Sequence, residues 1–80
     1  MYTVYVLYSE TYNKIYVGFT SDLMNRLQSH NYFAVKGWTI KYRPWKIIHT
    51  EDFEIKQAAM KREKELKTAK GREFIRNLVK

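Results

Sequence analysis

Among its 80 residues this chain has no cysteine, one proline and three glycines. Without cysteine there is neither a disulfide framework nor a thiolate zinc site, and a reducing compartment is the natural setting. No segment of low complexity, internal repeat or linker breaks the chain. No apolar run approaches the roughly 20 residues that span a bilayer, and no charged n-region precedes an apolar h-region at the N-terminus. The expectation is a soluble, unsecreted, cytoplasmic chain forming a single domain over residues 1–80. A domain this small buries only about two-thirds of its unfolded surface. Seven Tyr, four Phe and two Trp must therefore supply much of the core.

Acidic residues are also scarce, with 8 against 15 Lys and Arg, for a net charge of +7. The excess is uneven: residues 1–40 carry three basic and two acidic side chains, residues 41–80 twelve and six. A basic half attracts polyanions such as nucleic acid through phosphate neutralisation and counterion release. The same charge also suits a helical face that is merely solvated.

Tyr2 to Tyr8 (YTVYVLY) is almost continuously β-branched and aromatic, which fits a central strand covered on both faces. Ser9 to Asn13 has turn chemistry and Lys14 to Thr20 (KIYVGFT) reads as its antiparallel partner. A hairpin symmetric about that turn places Tyr5 opposite Tyr16, with both side chains on one face. Thr20 or Ser21 caps a helix running to about His30, with Asp22 at its positive end and Leu23 and Leu27 as an apolar stripe. Asn31 to Pro44 has no period and reads as a long loop with some local structure. Lys46 to Thr50 is a short third strand. Ile55, Ala59, Arg62 and Leu66 are spaced for a helix over Phe53 to Lys67, Gly71 interrupts, and Arg72 to Val79 forms a last helix burying Phe74, Ile75 and Leu78. The order is ββαβαα: an α+β fold with a three-stranded antiparallel sheet flanked by helices.

Five side chains stand out as candidates for chemistry. Arg26 and His30, four apart, share a helix face and flank the Leu23 and Leu27 line, where a guanidinium fork at the sheet margin suits phosphate oxygens. The plainer alternative is an Arg26 that snorkels over the core edge and a His30 that packs. Glu63 and Glu65 flank the buried stripe of the second helix at similar angles, so periodicity does not choose between them. Either also serves as an exposed ion-pair partner, as Glu63 with Lys67 at i, i+4. Tyr5 and Tyr16 are strand tyrosines of the kind that usually fill a core, yet two phenols on one face beside an Arg and an acid form a less ordinary set.

In this pattern the chain resembles the GIY-YIG nuclease superfamily, specifically small stand-alone members similar to the N-terminal catalytic domain of the bacterial excision-repair endonuclease. Thr3-Val4-Tyr5 fills the first named slot and, after ten residues, Tyr16-Val17-Gly18 the second. Arg26-Leu27 with His30, then Gly37-Trp38-Thr39, Pro44-Trp45 and Lys61-Arg62-Glu63 follow in order, over nearly the full length. Thr3 departs from the glycine of the first motif, at a position with no chemical role in a glycine. The resemblance breaks the tie in favour of Glu63 as the metal-binding carboxylate, and after Gly71 the match is too loose to assign more.

The resemblance implies one divalent cation, Mg²⁺ or Mn²⁺, held by Glu63 and completed by waters and phosphate oxygens. It implies a phosphate held by Arg26, water deprotonated by Tyr5 or Tyr16, and a supporting proton carrier in His30. A tyrosine of pKa near about 10 needs neighbouring positive charge for that task. The expected function is a metal-dependent endonuclease acting on DNA in repair or recombination. The alternative is a non-catalytic nucleic-acid-binding module of the same fold, targeted by a protein partner. Related enzymes usually append a DNA-binding domain, for which these residues leave no room. Affinity then falls to the basic residues between Lys61 and Lys80, with Trp38 or Trp45 as stacking surfaces.

Overall fold

A strand that is apolar on both sides needs cover on both sides, and Tyr2–Ser9 (β1) obtains it by running through the middle of the sheet. Strands β2 (Lys14–Thr20) and β3 (Lys46–Phe53) pair with it, each antiparallel, in the order β2-β1-β3. The computed structural model describes residues 1–34 and 37–79 and, at Phe33, the backbone. It contains helices α1 (Leu23–Gln28), α2 (Lys56–Leu66) and α3 (Ala69–Leu78), a π-helical turn at Ser29–Phe33 and a 3-10 turn at Trp38–Tyr42. This is the expected α+β architecture with its three-stranded antiparallel sheet.

Strand parity divides the interior in two. Val4, Val6 and Val17 pack with Ala59 and Leu66 of α2 and Ile75 of α3. Tyr5 and Leu7 point the other way, against Trp45, with Tyr16, Leu23, Leu27, Tyr42 and Ile47 around them. A bulge in β3 sets Val6 opposite His49 but Leu7 opposite Ile47, leaving Ile48 as the extra residue. As a result Ile48 packs with the helix-side core while His49 meets the Phe74 ring on α3.

Several boundaries differ from those expected. The hairpin turn spans four residues, since Ser9 pairs with Lys14, and this puts Gly18 opposite Tyr5 and Leu7 opposite Tyr16. Direct Tyr5–Tyr16 pairing is therefore wrong, but an offset of two residues preserves parity, so the phenols share a face as diagonal neighbours. Asn13 closes the turn at a φ of 54°, and Arg76 of α3 donates to its side-chain oxygen at 2.7 Å. The cap of α1 is Asp22, whose carboxylate accepts from the Asn25 N–H, with Thr20 Oγ1 accepting from the Asp22 N–H. The helix ends at Gln28 and gives way to the π turn, short of His30. The expected loop over 31–44 takes in the end of the π turn and all of the 3-10 turn, and its residues 35 and 36 lie outside the described set. Strand β3 runs on to Phe53, and Ile55, expected in the apolar stripe, precedes α2 and is exposed.

Gly71 does not interrupt. It is buried in the first turn of α3, where a Cβ would stand 2.4 Å from the Leu66 Cα and 2.4 Å from the Glu65 carbonyl oxygen. Its lack of a side chain lets α3 turn sharply back on α2, and Thr68 caps the new helix by accepting from the Gly71 N–H. Of the apolar residues expected under α3, Ile75 is buried while Phe74 and Leu78 remain about two-fifths exposed, at 42% and 44%. The Gly71→Ala variant should unfold about 2–3 kcal/mol more easily in urea, because the clash is with backbone that cannot swing aside. An unchanged midpoint would mean the α2–α3 corner is looser than described.

Candidate functional site

Gly18 is the reason Tyr5 can be both a strand residue and a site residue. Directly opposite it across the hairpin, a Cβ at Gly18 would sit 2.6 Å from the Tyr5 hydroxyl and 3.1 Å from the Tyr16 ring. The Tyr5 side chain therefore lies flat across the glycine. Its ring is 2% exposed, and its centroid is 6.2 Å from that of Tyr16. The hydroxyl lies 3.0 Å from His30 Nε2.

His30 is presented by the π turn, which closes through the Ala34 N–H to the Ser29 carbonyl at 2.9 Å. One side chain braces this segment: Arg43 donates to the carbonyls of His30 and Ala34 and, alongside the Ala34 N–H, to that of Ser29. The far nitrogen of the imidazole, Nδ1, lies 3.1 Å from the Thr39 hydroxyl. Tyr5, His30 and Thr39 thus form a buried line of three proton-exchanging groups in which both hydroxyls can donate or accept. The His30 ring also meets the Tyr16 ring at a tilt of 59°, with centroids 4.7 Å apart.

The other two candidates act on this cluster through their charge. The Tyr5 phenol is pushed well above the ordinary tyrosine value by burial first, then by the neighbouring Tyr16 and Glu63; Arg26 pulls it down and is outweighed. Burial lowers His30 below the ordinary imidazole value, and the guanidinium groups of Arg26 and Arg43 lower it further. Arg26 is thus close enough to act on both, while remaining exposed beside Thr20, Asp22, Asn25 and Ser29 in a hollow of about 390 Å³. Glu63, not Glu65, is the acid whose charge is felt at Tyr5. Its side chain is 18% exposed and paired with Lys67 at 3.4 Å.

Tyr16 is the less buried phenol. It lines a separate cleft of about 220 Å³ together with Ile15, Val17, Trp38, Leu66, Lys67 and Arg72. The two tryptophans part here: Trp45 is buried, its indole N–H donating to the Thr39 carbonyl at 2.8 Å, whereas Trp38 is 47% exposed at the cleft. Sequence reasoning missed Thr39 and Arg43 as supports of His30. Their signal is three-dimensional, because a loop without period gave no register in which to place them.

A second polar group belongs to the opposite face. Glu51 accepts from Arg62 Nε at 2.9 Å and lies 2.7 Å from His49 Nε2. Burial would raise the Glu51 carboxyl, but hydrogen bonds from Arg62 and His49 hold it below the usual carboxylate value. This trio ties β3 to α2. Among the described residues no three His, Asp or Glu side chains are grouped where they could hold a metal ion. No helix among the described residues is long and apolar enough to cross a membrane.

Comparison with known proteins agrees in one direction. The model of the GIY-YIG catalytic domain matches residues 1–77. A UPF0213 protein of Bacillus velezensis is 38% identical over 66 residues, covering 79% of this chain and 67% of its own length. Another from Natronomonas pharaonis is 37% identical over 65 residues, covering 81% and 75%. One from Limosilactobacillus reuteri is 39% identical over 64, covering 78% and 66%. The chain thus spans about two-thirds to three-quarters of these relatives. No solved structure matches it.

The depressed His30 has a consequence for stability. Below the ordinary histidine value of 6.5 the unfolded chain binds a proton that the folded chain refuses, so stability is lost as pH falls through that region. The Glu51 contribution is lost only below 4.5, outside the window. Between pH 7.5 and about 5.5, the parent should therefore lose more thermal stability than His30→Gln. Parallel curves for the two proteins would contradict a neutral, buried His30.

Proposed function

This chain belongs to the GIY-YIG catalytic-domain family, and we propose that it is a metal-dependent endonuclease hydrolysing phosphodiester bonds in DNA through Tyr5, Tyr16, Arg26, His30 and Glu63. The observation that carries this reading is the meeting of two phenols and an imidazole within ring-contact distance, with a guanidinium and a carboxylate both acting on the Tyr5 phenol.

Hydrolysis requires an aligned nucleophile, a counter-charge for the phosphate and a path for the proton. Arg26, exposed at the end of α1, offers a bidentate fork to the scissile phosphate. Tyr16 opens onto the cleft and is the phenol placed to take the proton of an attacking water. Tyr5 stays protonated, since burial opposes its ionisation, and acts as a fixed donor backed by His30. Thr39 and Arg43 hold the imidazole in place for that task.

Glu63 is the residue that would hold Mg²⁺ or Mn²⁺, with waters and phosphate oxygens completing the shell, as hard cations permit around one carboxylate. The donor set fits. Glu63 offers hard oxygen atoms at a partly open position, and its pairing with an exposed Lys67 is of the weak kind that a divalent ion displaces. When bound, the ion supplies positive charge against the phosphate.

Plasmid nicking with Mg²⁺ or Mn²⁺ tests the proposal. Glu63→Ala and Arg26→Ala should each lower the rate about 100-fold or more while leaving the fold intact by circular dichroism. Equal nicking by all three proteins would place the activity elsewhere. A parent that binds DNA, with binding that survives Glu63→Ala, but never cuts it, would instead make the chain a binding module.

A further inference from the structure

We propose that the cleft beside Tyr16 is a base-binding subsite, in which Trp38 stacks an unpaired nucleobase while Lys67 and Arg72 hold the flanking phosphates. The substrate so defined is DNA with a single-stranded nucleotide at the point of cutting, as in an overhang or flap, in preference to an unbroken duplex. This inference rests on the nuclease reading and names the substrate of that same site.

Four observations support it. The cleft, about 220 Å³, lies below the roughly 300–1,000 Å³ of sites for larger ligands, and suits one flat ring system. Its lining combines the Trp38 indole with a lysine and an arginine from the α2–α3 corner, Lys67 and Arg72. That pairing of aromatic face and cation is the chemistry of single-strand recognition, where bases stack and the backbone is neutralised. Tyr16, which lines the cleft, also contacts the His30 ring, so a base seated here is next to a residue of the proposed catalytic set.

The fourth observation is that Trp38 is nearly half exposed although a large apolar ring is costly to leave in water. It does not stand alone. Trp38 contacts Tyr42 at 4.7 Å between centroids, Tyr42 contacts Tyr12 at 5.5 Å, and the Lys14 ammonium lies 5.4 Å from the Tyr42 ring. Tyr12 is 49% exposed. An aromatic strip edged by a cation thus leads away from the cleft, giving the unpaired strand a track beyond its first base. A duplex, with its bases stacked on one another, has no ring to offer it.

Binding is measured without divalent ions, so that cutting plays no part. The probes are a short oligothymidylate, a hairpin duplex bearing an oligothymidylate tail, and the same duplex with blunt ends. Trp38 and the buried Trp45, 5.8 Å apart between centroids, both emit, so the part of the quench that Trp38→Phe loses is the part that reports on Trp38. The tailed and single-stranded probes should quench emission and bind about 10-fold more tightly than the blunt duplex. Trp38→Ala should abolish that preference and Trp38→Phe should keep most of it, while Arg72→Gln should weaken all probes and flatten their salt dependence. If Trp38→Ala is folded and keeps the full preference, or if the blunt duplex binds as tightly as the tailed one, the subsite is overturned. A chain that prefers the tail but never cuts would leave the subsite standing and defeat the nuclease reading; one that nicks but shows no preference does the reverse.

Discussion

Everything at the candidate site depends on how closely the Tyr5 ring can approach the strand opposite. Across an antiparallel pair, side chains on the same face normally stand apart at the spacing of their Cβ atoms. With no Cβ at Gly18, Tyr5 instead lies over the neighbouring backbone and delivers its hydroxyl to His30. One missing methyl therefore fixes the position of a phenol, and the phenol fixes the position of an imidazole. Arg43 and Thr39 complete the arrangement from the loop side, so the imidazole is held through its ring nitrogens and through its own backbone.

The central strand makes this possible by working on both faces. Its valines face α2 and α3 and build an ordinary aliphatic core; its Tyr5 and Leu7 face the aromatic side, where Trp45 closes the layer. The stability of the first core supports the polar burial tolerated in the second, where an imidazole and a phenol are kept largely from water. The same burial sets the chemistry. It keeps Tyr5 a neutral donor and His30 a neutral imidazole, and leaves the more exposed Tyr16 as the phenol that meets solvent.

Much of the fold is legible in the sequence because it follows from local pattern. The both-sided apolar run of β1 announces a central strand, and the helical spacing around Ala59 and Leu66 announces α2. What fails is what depends on partners distant in sequence. The hairpin offset turned on a four-residue turn closed by Asn13 and clamped by Arg76 from the other end of the chain. Gly71 reads as a breaker by propensity, yet packing against Leu66 makes it the residue that lets a helix begin there. At the site, parity alone put Tyr5 and Tyr16 on one face, but no periodicity could separate Glu63 from Glu65. That distinction arises from the way α2 lies against the sheet, which brings the charge of Glu63 to bear on Tyr5. Lys80, last of the basic residues assigned to nucleic-acid affinity, lies outside the described set.

The central claim is that these side chains act as one unit, and non-additivity measures it most directly. Single-turnover cleavage rates are compared for the parent, Tyr16→Phe, Glu63→Gln and the double variant. One shared site predicts that the double variant loses scarcely more than the worse single variant, as residues of a catalytic unit do. Losses that multiply would mean that the phenol and the carboxylate serve separate events, and would contradict the account.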